Sequence, residues 1–128
     1  MKEAENISEQ LKKDKALTLR MLKLFLGTAK KCAKKIRSSV KQSRWKELKA
    51  IAHKNISAYN EMGLDDLADS LKYIESHAMD KTKRRSLQET VKTLHSKNIE
   101  AIDAVRKYIG LIANEDLISD EELYNYGI

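Results

Sequence analysis

The sequence predicts an all-α protein, an antiparallel up-down-up-down four-helix bundle with short extra helices at the termini. Three observations point there. The 128 residues include no proline and only four glycines, at 27, 63, 110 and 127, so long stretches lack the breakers that an all-β fold needs at its many turns. Apolar residues recur with the three-then-four spacing of amphipathic helices, as in Trp45, Leu48, Ile51, Ala52, Ile56, Tyr59 and Met62. The links between such patterns are short, which makes neighbouring helices antiparallel. A chain of 128 residues suits a single domain, 1–128, that buries roughly two-thirds of its unfolded surface.

The elements follow in order. Met1 to Lys13 suggests a short helix with Ile7 and Leu11 as its apolar contacts and Asn6 or Ser8 as a cap. Asp14 is a candidate N-cap for a longer helix reaching about Gln42, with Leu22, Phe25, Ala29, Cys32, Ala33, Ile36 and Val40 along its stripe and Thr18 in phase ahead of them. Its outward positions are rich in lysine: 23, 30, 31, 34, 35 and 41. Gly27 costs on the order of 1 kcal/mol there relative to alanine, and close packing against a neighbour is the expected reason for it. Ser43 can cap the next helix, Arg44 to about Glu61, and Gly63 reads as the left-handed residue that closes it. Leu64 to about Met79 comes next, with Leu67, Ala68, Leu71 and Ile74 on one side, and a charged break follows at Asp80–Arg85. The last long helix runs from Ser86 to about Ala113, with Leu87, Val91, Leu94, Ala101, Ile102, Val105, Ile109 and Ile112 inward. Asn98 interrupts that stripe in phase with Asn55, so the two are expected to face each other. Asn114 can cap a short acidic segment, Glu115 to Tyr124.

Composition excludes several classes. No apolar run approaches the roughly 20 residues of a membrane span, and the N-terminus MKEAENISEQLKKDK has no apolar signal region. A lone cysteine, Cys32, can form no internal disulfide, and its place on an apolar stripe suits a small buried thiol. A cytoplasmic protein is the simplest account. Neither a phosphate-cradling G-x-x-x-x-G-K-[ST] loop nor a dinucleotide G-x-G-x-x-G is present, and no histidines, acids or cysteines show metal-ligand spacing. No cofactor, metal or ATP-dependent kinase activity is therefore expected. Charge is uneven: residues 1–60 hold 16 Lys and Arg against 5 Asp and Glu, net +11, while residues 61–128 are net −5. A basic surface built from the first half and a partner of opposite charge are expected.

One histidine stands apart. On a helical wheel with Leu48 at zero, Ala52, Asn55, Tyr59 and Met62 fall within about 40°, whereas His53 falls at about 140°. His53 therefore points at solvent, among Lys46, Lys49, Ser57 and Asn60. An exposed neutral imidazole can act as a nucleophile toward a phosphoryl group, and the resulting anion favours nearby cations. Lys46, Lys49 and Lys54 could supply them. Ala50 and Ser57, about a turn to either side, are small enough for a visiting active site to close over the ring, and Asn60 could hydrogen-bond the incoming group. His77, near a helix C-terminus, suits the dipole there, and His95 lies at the edge of its stripe. Trp45, Tyr59 and Tyr73 fit helix packing better than base stacking.

The run AHKNISAYNEMGLDDLADSLKYIE, about a fifth of the chain, resembles the signature of histidine-containing phosphotransfer (HPt) domains, close to H-x-L-K-G-S-x-x-x-x-G. His53 matches the phosphoryl-accepting histidine, Ala52 the small residue before it, Ala58 the small residue five on and Gly63 the glycine ten on. Leu64, Leu67, Leu71 and Glu75 match the apolar positions and acidic end of the next helix. Asn55, Ile56 and Ser57 depart from the apolar residue, lysine and glycine of the pattern; Lys54 could partly replace that lysine. The resemblance implies a phosphoryl carrier of a two-component phosphorelay. Its partners would be receiver domains of response regulators or hybrid sensor kinases, which would hold the magnesium. Two alternatives stay open: an HPt-like adaptor that binds a receiver without accepting phosphate, and a basic helical nucleic-acid-binding protein. No recognised DNA-reading motif accompanies the second, so nucleic acid is the weaker expectation.

Overall fold

Forty residues with one glycine and no proline run as a single helix, α1 (Lys2–Lys41). The structure, a computed structural model, describes residues 2–117, with side chains for residue 9 and residues 12–114. Three more helices follow: α2 (Trp45–Glu61), α3 (Asp65–His77) and α4 (Arg84–Leu117), the last preceded by a 3₁₀ turn at Lys81–Lys83. The four helices pack against one another, and no strand occurs among the described residues. These residues group into two compact units, one of Phe25–Ile102 and one from the helical segments up to Leu24 and from Asp103 onward.

Two expected boundaries are corrected at the ends. Asp14 does not start a helix, because residues 9–15 contain no breaker and α1 passes straight through them. Its carbonyl instead accepts a hydrogen bond from Thr18 Oγ1 at 2.8 Å. Asn114 likewise caps nothing, since α4 continues to Leu117. The rest of the expected segment to Tyr124 lies outside the described residues, as do the side chains of Asn6, Ile7, Ser8 and Leu11.

Both ends of α2 are set by the same turn. At the end of α1, Arg44 N–H donates to Ser39 O at 2.8 Å and Ser43 N–H to Val40 O at 3.1 Å. At the end of α2, Leu64 N–H donates to Tyr59 O and Gly63 N–H to Asn60 O, each at 3.0 Å. This is the Schellman pattern, which puts one residue in the left-handed region. Gly63 takes it at φ 71°, as expected, and Ser43 takes it at φ 55°. Ser43 therefore closes α1 and does not cap α2, whose N-cap is Arg44 with no side-chain hydrogen bond. Gly27 is corrected too: a Cβ there would meet nothing within 4 Å, so no close packing explains it.

At the α3–α4 link, Asp80 Oδ1 accepts from Thr82 N–H at 2.9 Å and from Thr82 Oγ1 at 2.6 Å. These bonds hold its carboxyl below the usual range. Arg84 Nη1 donates to Ala78 O at 2.6 Å, covering a carbonyl just past α3, and its guanidinium lies 3.9 Å from the Trp45 ring centroid.

Within Phe25–Ile102 the core draws on all four helices. Leu48, Ala52, Tyr59, Leu71, Ile74 and Leu87 are fully covered, with Phe25, Cys32, Ile36, Leu67 and Leu94 nearly so; each large apolar side chain so placed contributes about 1.5–3 kcal/mol. Asn98 is the buried polar residue of α4. It does not face Asn55, whose Nδ2 instead donates to Ile51 O at 2.8 Å. Asn98 Oδ1 accepts from Tyr59 OH at 2.7 Å while its Nδ2 donates to Ala29 O at 3.1 Å, so one amide ties α1, α2 and α4 together. Phe25 packs edge-on against Tyr59 at 5.2 Å between centroids. Burial pushes the Cys32 thiol up to about 11, partly offset by its hydrogen bond with Tyr59. Burial, and then Cys32 beside it, raise the Tyr59 hydroxyl as well. The thiol is thus protonated and enclosed, as its place on the stripe suggested.

Within the other unit, Leu22, Val105 and Ile112 are buried, while Leu17, Met21, Leu24, Tyr108 and Leu111 are exposed. No described helix is long and apolar enough to cross a membrane.

Candidate functional site

Helix α2 presents two faces of opposite character. The face carrying Leu48, Ala52 and Tyr59 is buried. The other carries His53, whose side chain is 75% exposed. Lys46, Lys49, Ala50, Lys54, Ser57 and Asn60 are all exposed as well. Of these, Lys46, Lys49, Ala50, Ser57 and Asn60 share the solvent half of the helix with the histidine. Lys54, about 100° further round, lies off to one side. None of the three lysines forms an ion pair among the described residues.

The group that does reach His53 comes from α3. Glu75 Oε1 lies 2.6 Å from His53 Nδ1. The carboxylate is the less exposed partner, at 28% against 75% for the imidazole. With Nδ1–H donating to Glu75, the neutral ring carries its lone pair on Nε2. That pins the tautomer and fixes the ring plane. Nucleophilic capacity therefore rests on the nitrogen away from the carboxylate.

The sequence pattern marks Glu75 as the acidic end of a helix and gives it no part in the site. A signal for it existed. Two antiparallel helices joined by a tight turn bring residues equidistant from the turn level with each other, and His53 and Glu75 each lie eleven positions from Leu64.

The departures from the pattern have local explanations. Asn55 is half-buried and its side chain bonds the helix's own backbone, a polar residue's substitute for apolar packing. Ile56 is half-buried as well, so no cation stands three positions beyond His53.

The other histidines have structural surroundings. His77 Nδ1 lies 2.9 Å from Tyr73 O in the last turn of α3, with its ring stacked on Tyr73 at 4.2 Å. This is the C-terminal role expected for it. His95 is half-buried, as a stripe-edge residue should be, and its Nδ1 has no hydrogen-bond partner. Among the described residues no group of three or more His, Cys, Asp or Glu could hold a metal ion.

Comparison with known proteins found no match: no family model, no curated protein and no solved structure is significantly similar to this chain.

Proposed function

We propose that this chain is a histidine phosphotransfer protein, accepting a phosphoryl group on His53 Nε2 from the aspartyl phosphate of a receiver domain and returning it to another. The observation that carries this reading is the exposed imidazole whose Nδ1 is held by Glu75 at 2.6 Å.

The chemistry follows from that bond. The Nε2 lone pair attacks phosphorus, the N–P bond forms, and the P–O bond to the aspartate breaks, releasing a carboxylate. No proton has to leave Nε2, so no general base is required. The ring retains its Nδ1 proton and becomes cationic, and the Glu75 carboxylate stabilises that charge by a charge-assisted hydrogen bond. The reverse reaction uses the same atoms, as a carrier requires. Positioning and charge stabilisation dominate such a loose transition state, and a rigid helix suits both. Lys46 and Lys49 offset the charge of the incoming group, while Ala50 and Ser57 leave space for the receiver.

The reading expects an up-down-up-down order, and contacts between the helices support it. Trp45 meets Arg84 and Tyr59 meets Asn98, contacts that support α2 running with α4. Tyr73 OH lies 2.6 Å from Ser86 Oγ and Lys97 Nζ lies 3.8 Å from Asp66, contacts that support α3 running against α4. A second reading, an adaptor that binds a receiver without accepting phosphate, is favoured by the half-buried Ile56 in place of a lysine.

Incubation with a phosphorylated receiver domain separates the two. The wild-type chain should gain an acid-labile label, and His53→Gln should gain none while keeping its helicity and melting temperature. Label persisting on the variant would remove His53 from the role, and an unlabelled wild type that still binds the receiver would leave the adaptor.

A further inference from the structure

A second surface, on α1 and α4, shares no residue with the His53 face. An open groove of about 760 Å³ runs between these helices within Phe25–Ile102. Its apolar floor includes Ala33, Val40, Val91 and Ile102. Lys30, Lys34, Arg37 and Lys41 line it, one per turn of α1 over eleven residues, about 16 Å.

Among the described residues these cations are unneutralised. Residues 16–43 hold eight Lys and Arg and no Asp or Glu. Elsewhere in the same unit, cations lie beside carboxylates: Arg44 with Glu47 at 3.6 Å, and Lys72 with Asp69, Arg85 with Glu89 and Lys97 with Asp66, each at 3.8 Å. Among the described residues the four groove cations have no such partner. Like charges three and four positions apart on a helix repel. A ligand bearing carboxylates at the same spacing would turn that repulsion into attraction.

We infer that the groove binds an acidic amphipathic helix of a partner protein. Such a helix sets its apolar stripe on the floor and its Asp or Glu side chains, one per turn, against the row of cations. The apolar floor decides between polyanions. A nucleic-acid backbone or a lipid headgroup layer would engage the cations and leave Val40 and its neighbours unmatched, whereas an amphipathic helix uses both. Exposed ion pairs are individually weak, so the cations set register and encounter rate while the floor supplies most of the affinity. This inference goes beyond the phosphotransfer reading and holds whether or not His53 carries a phosphoryl group.

The test uses the full chain and a synthetic peptide of about 18 residues, with glutamates one per turn and leucines on the adjoining face. Its control is a scrambled peptide of the same composition. Fluorescence anisotropy at about 0.15 M salt should show the patterned peptide binding at least about ten-fold more tightly than the scramble. Amide resonances of Ala33, Val40, Val91 and Ile102 should shift on titration. The double variant K34E/R37E, both positions exposed, should keep its circular dichroism and lose about ten-fold or more in affinity. Equal binding of the two peptides, or unchanged binding by the double variant, would overturn the inference. So would tighter binding of duplex DNA or phosphatidylserine vesicles than of the patterned peptide. A dimer of the chain that the same two substitutions dissolve would instead assign the groove to a second copy.

Discussion

Helix α2 holds two side chain–side chain hydrogen bonds of nearly equal length to two different helices. Tyr59 OH meets Asn98 at 2.7 Å and His53 Nδ1 meets Glu75 at 2.6 Å. The residues on α2 are six positions apart, yet Tyr59 and Asn98 are 0% and 2% exposed while the His53 side chain is 75% exposed. Length says little about what each bond does; surroundings say most of it. Inside the core an unpaired polar group has no water to turn to, so the buried bond specifies how three helices meet. At the surface, water competes for both partners, so the exposed bond adds little stability and chiefly sets which imidazole nitrogen holds the proton.

Removing the buried amide is the strongest way to break this comparison. Asn98→Ala takes away the acceptor of the Tyr59 hydroxyl and the donor to Ala29 O and leaves a cavity, and should lower stability by about 2–4 kcal/mol in urea titrations. The proposed phosphotransfer, per folded molecule, should persist, since Asn98 does not touch His53; its loss would mean the two bonds are coupled through α2. Glu75→Gln probes the other side. The amide oxygen can still accept the Nδ1 proton, so geometry is retained while the charge is lost. A charge-assisted bond is worth about 1.5–3 kcal/mol when shielded, and the exposure of His53 places the effect at the lower end. Single-turnover transfer should slow by about ten-fold, with stability within about 0.5 kcal/mol of wild type. A large drop in melting temperature would show that the surface bond is structural after all.

The two bonds were unequally legible. Periodicity separated the buried and exposed faces of α2, because a 3.6-residue repeat reports directly which side chains share a face. It placed Tyr59 inward and His53 outward, and both stand so. It also placed Asn55 and Asn98 inward and inferred that they meet. That step failed because phase fixes direction and says nothing of height along the bundle: Asn98 is level with Tyr59, one turn further along α2. Glu75 escapes periodicity for a related reason, since its pairing with His53 depends on the length of the α2–α3 turn and not on its own neighbours. Breaks are legible where a glycine marks them, at Gly63, and illegible where polar residues stand alone, at Asp14 and Asn114, which serve equally well inside a continuing helix.

Alkali distinguishes the bonds without mutation. The Cys32 thiol ordinarily titrates at 9.0 and is held up to about 11 by burial, and Tyr59 is shifted in the same direction. Above pH 9 the unfolded chain loses a proton that the folded chain keeps, so the unfolded state gains free energy of ionisation. Stability should be level below that point and fall as pH rises through 9 to 11, by up to about 1.4 kcal/mol per pH unit for each group. Cys32→Ala should remove the thiol's share, and a slope that survives it unchanged would place the titrating group elsewhere.

The smallest effect tests whether α2 can be stabilised without touching either bond. The turn that leads into it and the turn that leaves it have the same hydrogen bonds, but the left-handed position is Gly63 in one and Ser43 in the other. A side chain at positive φ crowds the following carbonyl and costs about 1 kcal/mol, which glycine avoids. Glycine also gives the unfolded chain more freedom, and that offsets part of the gain. Ser43→Gly should therefore stabilise the protein by about 0.5 kcal/mol, a shift visible in a denaturant midpoint at unchanged slope. The proposed phosphotransfer should not change. A faster or slower transfer in this variant would mean that the His53–Glu75 geometry depends on how α2 is seated at its first turn, and the exposed bond would then have to be counted as part of the same cooperative structure as the buried one.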